Sequence, residues 1–315
     1  MVSIIITLYN KEKSIRRVIL SAINQTYRDI EIIVIDDCST DDSKKICEEY
    51  NESIKLYSTE KNSGLPHSRR LGIEMAKGEF ITFVDADDYL NHDAILECVN
   101  EHKRTNADIV QMKITRRISK LNIPIRFRSK YNKSMALDAC LYNEHLFPVQ
   151  CWGKLYKTEL LKAVTPIKYD GFWGEDRIFN IPLFASNPNI AIAKKAKYNY
   201  TWGGATSSDF DINALQEYKK VYQIKHDWAH VNGYEHHIPS MQNELLELLK
   251  YHVRHLINSK TMSDTQALSW LKSEFSQHIW QEYLIQLSVE RLYSQEKYSF
   301  NRKMKNVVVN TFNFK

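Results

Sequence analysis

An α/β protein built on a mostly parallel sheet and extended by an all-helical C-terminal region is the fold class this sequence predicts. Three observations carry it. Short β-branched runs ending in polar residues recur through the first hundred residues, segments of helical period separate them, and beyond about residue 211 only the helical period remains. Strand alternating with helix in units of this length implies parallel strands joined by right-handed crossovers.

VSIIITL (2–8) opens the series as a strand buried on both faces. Ile15, Val18, Ile19, Ala22 and Ile23 then fall on one face of a helix. EIIVID (31–36), IKLYS (54–58) and EFITFVD (79–85) read as further strands, with helices over about 41–50 and 66–77 between them. Asn91 is placed to cap another helix running to about 103. DIVQMKI (108–114) reads as a strand, and a basic, irregular stretch follows from Arg116 to Lys133. Aromatics and glycines cluster in CWGKLY (151–156), GFWGED (171–176) and YTWGG (200–204). Met241, Leu245, Leu248, Leu249, Val253, Leu256 and Ile257 lie close to one helical stripe, and a further long helix is expected over about 263–293. The pattern divides the chain into 1–104, 105–210 and 211–315.

Composition narrows the class. The 315 residues are 43% hydrophobic and 26% charged, ordinary for a globular protein. A net charge of +5 suits a polyanionic ligand or membrane surface, and suits a solvated basic surface equally well. Five cysteines with no CxxC pair argue against a disulfide framework or zinc site and for a reducing compartment. No secretory leader precedes the first strand, and no apolar stretch approaches the ~18 residues of a membrane span. The expectation is a cytoplasmic protein. No recognition-helix or aromatic-strand signature supports nucleic-acid binding.

In parallel sheets ligands bind beyond the carboxyl ends of the strands, and Asp36, Asp37 and Asp85 all sit there. DDCSTDD (36–42) reads either as a strand-to-helix turn capped by Thr40 or Asp41, or as acceptors for a base N–H or ribose hydroxyl, with Thr7, Tyr9 and Asn10 as the opposite wall. DADD (85–88) has the chemistry of a site that holds a hard divalent cation against a diphosphate, since such ions take one or two carboxylates plus the phosphates themselves. A solvated acidic turn is the plainer reading. In NSGLPHSRRLG (62–72) an arginine can answer the acidic groups or a phosphate, or simply be solvated at a helix start. GFWGED offers Glu175 and Asp176 as a general base beside an aromatic platform, or as acids favoured at a helix N-terminus. Trp152, Trp173 and Trp202 divide evenly between sugar stacking and packing, whereas Trp228, Trp270 and Trp280 read as core anchors.

Taken in order, SIIITLYN, EIIVIDDCSTD, NSGLPHSRRLG, FVDADDYL, WGKLYK and WGED resemble the family 2 inverting glycosyltransferases of the GT-A fold, over about residues 2–205. The resemblance implies a Rossmann-like sheet flanked by helices, with 1–104 as the nucleotide-sugar half and 105–210 as the acceptor half. It implies a UDP-sugar donor, Mn2+ or Mg2+, and a glycan or lipid-linked acceptor in surface polysaccharide or glycoconjugate synthesis. Thr7, Tyr9 and Asp37 match the uridine-lining positions, with Asp36 beside them, and Arg69 matches the arginine near the base. Asp85 and Asp87 match the D-x-D pair, which implies Asp85 facing ribose and Asp87 on the metal, and Asp176 matches the base position with Glu175 adjacent. Trp202–Ser207 matches a segment that closes over the donor. Thr7 stands where many members have proline, and Ser68-Arg69-Arg70 replaces the usual Ala-Arg-Asn. Two rivals are weaker. A nucleotidyltransferase would need a basic, glycine-bearing loop after the first strand, which TLYNKEKS lacks, and a non-catalytic binding protein would be expected to lose Asp87 or Asp176. The helical third suits a homodimer interface, acceptor contacts or a cap on the core. The basic-then-apolar tail suits the inner face of a membrane or an ordinary packed terminus.

Overall fold

The computed structural model describes residues 1–118, 121–124, 133–169, 171, 173–201 and 214–259, with positions 266, 269 and 273 beyond them. Two compact units divide the chain, Met1–Met241 and Gln242–Lys315. The sheet and both acidic motifs belong to the first.

β1 (Val2–Leu8) is buried at all seven positions. It lies between β2 (Ile30–Asp36) and β4 (Phe80–Asp85), both parallel to it, and β3 (Lys55–Ser58) adds to β2 in parallel. Five of its residues, Val2, Ile4, Ile5, Ile6 and Leu8, are buried aliphatics, each contributing roughly 1.5–3 kcal/mol by leaving water. The register sets Thr7 opposite both Ile35 and Asp85, so the ends of β1, β2 and β4 form one edge. The crossovers are α1 (Ile15–Ile23), α2 (Ser43–Glu48) and α3 (Leu65–Met75). Ile15, Val18, Ile19 and Ala22 are the buried face of α1, as their spacing requires.

The chain then continues through β5 (Tyr89–Leu90), α4 (Ala94–Thr105), β6 (Ile109–Ile118), β7 (Leu121–Pro124), α5 (Lys133–Leu141) and β8 (Lys154–Lys157). α6 (Thr158–Ala163), α7 (Glu175–Ala185), β9 (Ile190–Thr201), α8 (Ala214–Val231) and α9 (Ile238–Ser259) follow. The nine strands make one sheet in the order β3-β2-β1-β4-β8-β6-β9-β5, with β7 paired to β6. β8 runs antiparallel to both β4 and β6, and β9 runs parallel to β6. The carboxyl ends of β6 and β9 therefore point to the same edge as those of β1, β2 and β4.

Two expectations need correction. The stretch after Arg116 is not irregular throughout, because Thr115–Ile118 and Leu121–Pro124 form an antiparallel hairpin. Adjacent arginines hide the alternation there, and charge and proline are what an edge strand tolerates. β9 carries three lysines and was likewise illegible as a strand. Asn91 does not cap α4. The buried Gln25 does that work: its Oε1 accepts the Ile95 N–H at 3.1 Å, and its Nε2 donates to Ser21 O and Asn91 O. The Asn91 side chain instead accepts from Asn199 Nδ2 at 3.1 Å. The expected helix over 263–293, the basic-apolar tail and most of the helical surface considered for a homodimer lie outside the described residues. Among the described residues no helix is long and apolar enough to cross a membrane.

Replacing Gln25 with leucine strands the buried Ile95 N–H and takes a donor from Ser21 O and from Asn91 O, which keeps Ala94 N–H, at roughly 1–3 kcal/mol for the groups left unpaired. Urea unfolding of Gln25→Leu should show that loss with the m-value unchanged.

Candidate active site

Arg69 is the centre of the site. It lies on the first turns of α3 and is only 1% exposed. Its NH1 is 3.0 Å from Asp176 Oδ1 and 3.9 Å from Glu175 Oε1, and its NH2 is 3.7 Å from Asp85 Oδ1. One guanidinium thus meets three carboxylates from two segments ninety residues apart in the chain. The sequence left open whether this arginine answers acids or a phosphate, and the resemblance put it near the base; the structure sets it among the acids. Both helices that build the cluster start from a glycine in the left-handed region, Gly64 (φ 84°) before α3 and Gly174 (φ 75°) before α7. That conformation lets the chain turn sharply into the helix at no steric cost. It also sets Glu175 and Asp176 in the first turn of α7, where the helix dipole favours negative charge. The cluster is not fully satisfied: Arg69 Nε and NH1 and Asp85 Oδ1 are buried with no hydrogen bond in line.

The four residues DADD separate into distinct jobs. Asp88 is buried and structural, accepting from the Tyr198 hydroxyl and the Thr201 N–H, both at 2.7 Å. Asp85 faces Arg69. Asp87 stays partly exposed, and Lys11 Nζ meets its Oδ2 at 2.6 Å. Arg17 holds the backbone of the turn by donating to Asp87 O and Thr201 Oγ1. Among the described residues no three His, Cys, Asp or Glu side chains form a ready metal cage. A single accessible carboxylate with oxygen donors is nonetheless what a hard divalent cation uses when phosphates complete its shell. Asp87, which meets a lysine on a flexible stem, fits that part.

At the ends of β1 and β2 the outcome is mixed. Asp36, expected beside the uridine-lining positions, spends its carboxylate on loop contacts. It is buried, with Ser39 N donating to its Oδ1 and Ser58 Oγ lying 3.4 Å from its Oδ2. Asp37 organises the 59–64 loop, accepting from Thr59 Oγ1 (2.9 Å), Ser63 N (2.9 Å) and Gly64 N (2.7 Å). Thr7 is buried between these strands, whereas Tyr9 is 44% exposed at the edge. Asn10 takes a left-handed conformation and its Oδ1 accepts from Thr40 N, which ties the two loops together. The N-cap position of α2 is Asp42, which makes no side-chain cap bond, but Asp41 does satisfy the helix start: its Oδ1 accepts from Ser43 N at 3.0 Å.

Asp176 is oriented from behind. The Cys151 N–H donates to its Oδ1 at 3.0 Å, the same oxygen that faces Arg69. The 149–151 segment is fixed by Asn180 Nδ2, which donates to Val149 O, and by the buried Lys154, which donates to Gln150 O. Burial pushes the Lys154 ammonium down to about 8. Trp152, read evenly between sugar stacking and packing, is 7% exposed and stacks with Tyr198 (4.6 Å) and Tyr200 (5.3 Å), so it packs in the core. Trp173 is half-buried and packs against Tyr218 of α8. Trp202 and the rest of the 202–207 segment lie outside the described residues. A cleft of about 520 Å3, lined by Lys61–Pro66, Gly171 and Glu175, opens beside the cluster. Sequence reasoning missed Lys11, Arg17, Cys151, Tyr198 and Thr201. Two of them act through backbone N–H groups, and the others are common residue types at unremarkable spacing.

The description "Glycosyl transferase family 2" matches residues 3–165 of the chain. Glycosyltransferase GlyA of Streptococcus pneumoniae is 30% identical over 214 residues, which cover 63% of this chain and 30% of that protein. The poly(ribitol-phosphate) beta-N-acetylglucosaminyltransferase TarS of Staphylococcus aureus is 29% identical over 209 residues, covering 63% of this chain and 35% of its own length. The chain therefore spans about a third of the curated relatives it matches. A crystal structure of S. aureus TarS 1–349 with UDP superposes with a TM-score of 0.62 at 24% identity, over 86% of this chain and 78% of that one, which establishes a shared GT-A fold.

Burial pushes the Glu175 carboxyl up to about 8 and the Asp85 carboxyl to about 7; the Asp176 charge adds to both and Arg69 opposes. The folded protein then holds protons that the unfolded chain releases above its ordinary carboxylate range. Stability accordingly falls as pH rises from about 4.5 to about 8. Glu175→Gln should melt several degrees above wild type at pH 8 and close to it at pH 5, measured by thermal unfolding across that range.

Proposed function

The chain belongs to glycosyl transferase family 2, and on that premise we propose that it moves a sugar from a UDP-sugar to a hydroxyl of a glycan or lipid-linked acceptor. The reaction in this reading is a metal-assisted in-line displacement with inversion, in surface polysaccharide or glycoconjugate synthesis. One observation carries it: a single buried arginine gathers the donor-side carboxylate Asp85 and the pair Glu175-Asp176, so donor-holding and proton-accepting groups converge beside one cleft.

The donor lies across the carboxyl ends of β1, β2 and β4. The exposed Tyr9 ring gives the uracil a stacking face, Thr7 lies beneath it, and Asp37 holds the 59–64 loop that forms the opposite wall. Asp85 takes the ribose. Asp87 would hold Mn2+ or Mg2+, which when bound offsets the charge gathering on the departing diphosphate. Lys11, already at Asp87, brings a second positive charge to the same place. Asp176 is the base: Oδ1 is held by Arg69 and the Cys151 N–H, and Oδ2 accepts the proton of the acceptor hydroxyl as that oxygen attacks the anomeric carbon. The attack comes from the face opposite the diphosphate, so an α-linked donor gives a β-linked product. Glu175, pushed up to about 8 by burial, is protonated near neutral pH and so donates a hydrogen bond to a sugar hydroxyl. Trp173 borders the acceptor side. The sugar named for TarS, N-acetylglucosamine, makes UDP-N-acetylhexosamines the first donors to try, with UDP-hexoses next.

UDP release from a panel of UDP-sugars with Mn2+ tests the reading. Asp176→Asn should lower turnover by roughly 10²–10⁴ while UDP affinity stays within about twofold, as loss of a general base requires. Asp87→Ala should abolish the metal dependence. A folded protein that binds no UDP-sugar, or Asp176→Asn at the wild-type rate, refutes it.

A further inference from the structure

A second cleft, of about 450 Å3, shares no residue with the Arg69 cluster. Lys113 and Thr115 of β6, Lys197 and Asn199 of β9, and Asn91 line it. Lys113 and Lys197 are register partners on neighbouring parallel strands, and both are exposed. Like charges set directly opposite one another on a sheet are destabilising. Neither lysine has an ion-pair partner among the described residues. The pairing jumps at this point from Met112–Ala193 to Lys113–Lys197, so a bulge carries Lys194 and Lys195, also exposed, to the same stretch. Bulges re-aim side chains and favour the surroundings of functional sites.

The floor of the cleft is rigid. Asn199 is buried, and its Nδ2 donates to Asn91 Oδ1 and to Tyr89 O. Thr115 stands opposite Asn199 in register. Amide and hydroxyl groups beside paired ammonium groups match a ligand that carries hydroxyls and negative charge together. Direction matters as well. β6 and β9 run toward the acidic edge, and Thr201, four residues beyond Lys197, donates to Asp88 next to Asp87. Four strand residues span roughly 13 Å. A chain lying extended along these strands reaches from one place to the other.

We infer that the Lys113–Lys197 cleft is an acceptor subsite for a polyanionic glycan, gripping a phosphodiester or carboxylate group while a hydroxyl further along the same chain enters the transfer site. The inference rests on the transferase reading for what happens at that hydroxyl, but not for the binding itself. It narrows the acceptor to a charged polymer, and it gives the basic residues of β6 and β9 a partner.

The test uses the full chain and three fluorescently labelled probes of matched length: a poly(ribitol phosphate) oligomer, a hyaluronate oligomer and neutral dextran. Binding is read by anisotropy at low salt and at raised salt, and UDP affinity is measured in parallel by calorimetry. Wild type should bind one or both anionic probes and not dextran. Lys113→Gln with Lys197→Gln should weaken that binding on the order of tenfold, with the difference shrinking in salt, while UDP affinity stays unchanged. A preference for the phosphate probe or for the uronate probe names the anionic group. A control pair on α2, Lys44→Gln with Lys45→Gln, removes the same charge elsewhere and should bind as wild type does. The inference is overturned if wild type binds neither anionic probe, if the cleft variant binds as tightly as wild type, or if the control pair weakens binding equally. Lysine-dependent polymer binding by a protein that takes no UDP leaves the cleft standing and removes the donor reading instead.

Discussion

One guanidinium facing three carboxylates is the constraint on which the rest of the site depends. Arg69 is buried, and taking a charge out of water costs several kcal/mol unless opposite charges follow it. Asp85, Glu175 and Asp176 follow it in excess, within 3.0 to 3.9 Å. A buried arginine cannot release its proton, so the adjustment falls on the acids. Burial and their mutual repulsion raise Asp85 and Glu175, while Asp176 keeps the shortest contact to the arginine. The same arginine thus holds two raised carboxyl groups, Asp85 and Glu175, within 3.9 Å of it.

The surrounding groups divide cleanly between holding and presenting. Asp36, Asp37 and Asp88 spend their oxygens on the loops and strands that shape the edge. Asp85, Glu175 and Asp176 instead face Arg69, and Asp87 meets Lys11. Tyr198 links the two sets: its ring stacks on Trp152 in the core and its hydroxyl bonds Asp88. The motif positions are therefore fixed from β9, a strand more than a hundred residues later, while Arg69 Nε and NH1 and Asp85 Oδ1 stay buried without a hydrogen bond.

The first half of the sheet was legible because burial on both faces writes long apolar runs. β1 follows its run over 2–8, and β2, β3 and β4 begin within a residue or so of theirs. The α1 face was readable from spacing alone. In the second half only β6 was legible, from DIVQMKI, since β8 is four residues long, β7 pairs only at the edge, and β9 sets three lysines among its buried side chains. The site was legible as an ordered set of motifs, but the direction of each side chain was not. Nothing in DDCSTDD tells that Asp36 turns inward to Ser39 and Ser58, and Trp152 carries no mark of the two tyrosines that stack on it. Those outcomes depend on strands paired across long separations in the chain.

A double-mutant cycle on Arg69→Met and Asp176→Asn, read as unfolding free energy at pH 7.5, tests the central claim most directly. Removing the arginine alone should cost roughly 3–5 kcal/mol, because it leaves carboxylates buried without their cation. Removing the Asp176 charge as well should recover about 1–3 kcal/mol of that, the coupling expected of groups in direct contact. If the two losses simply add to within about 0.5 kcal/mol, Arg69 and Asp176 are not energetically joined. The arginine would then not be what holds the acidic site together.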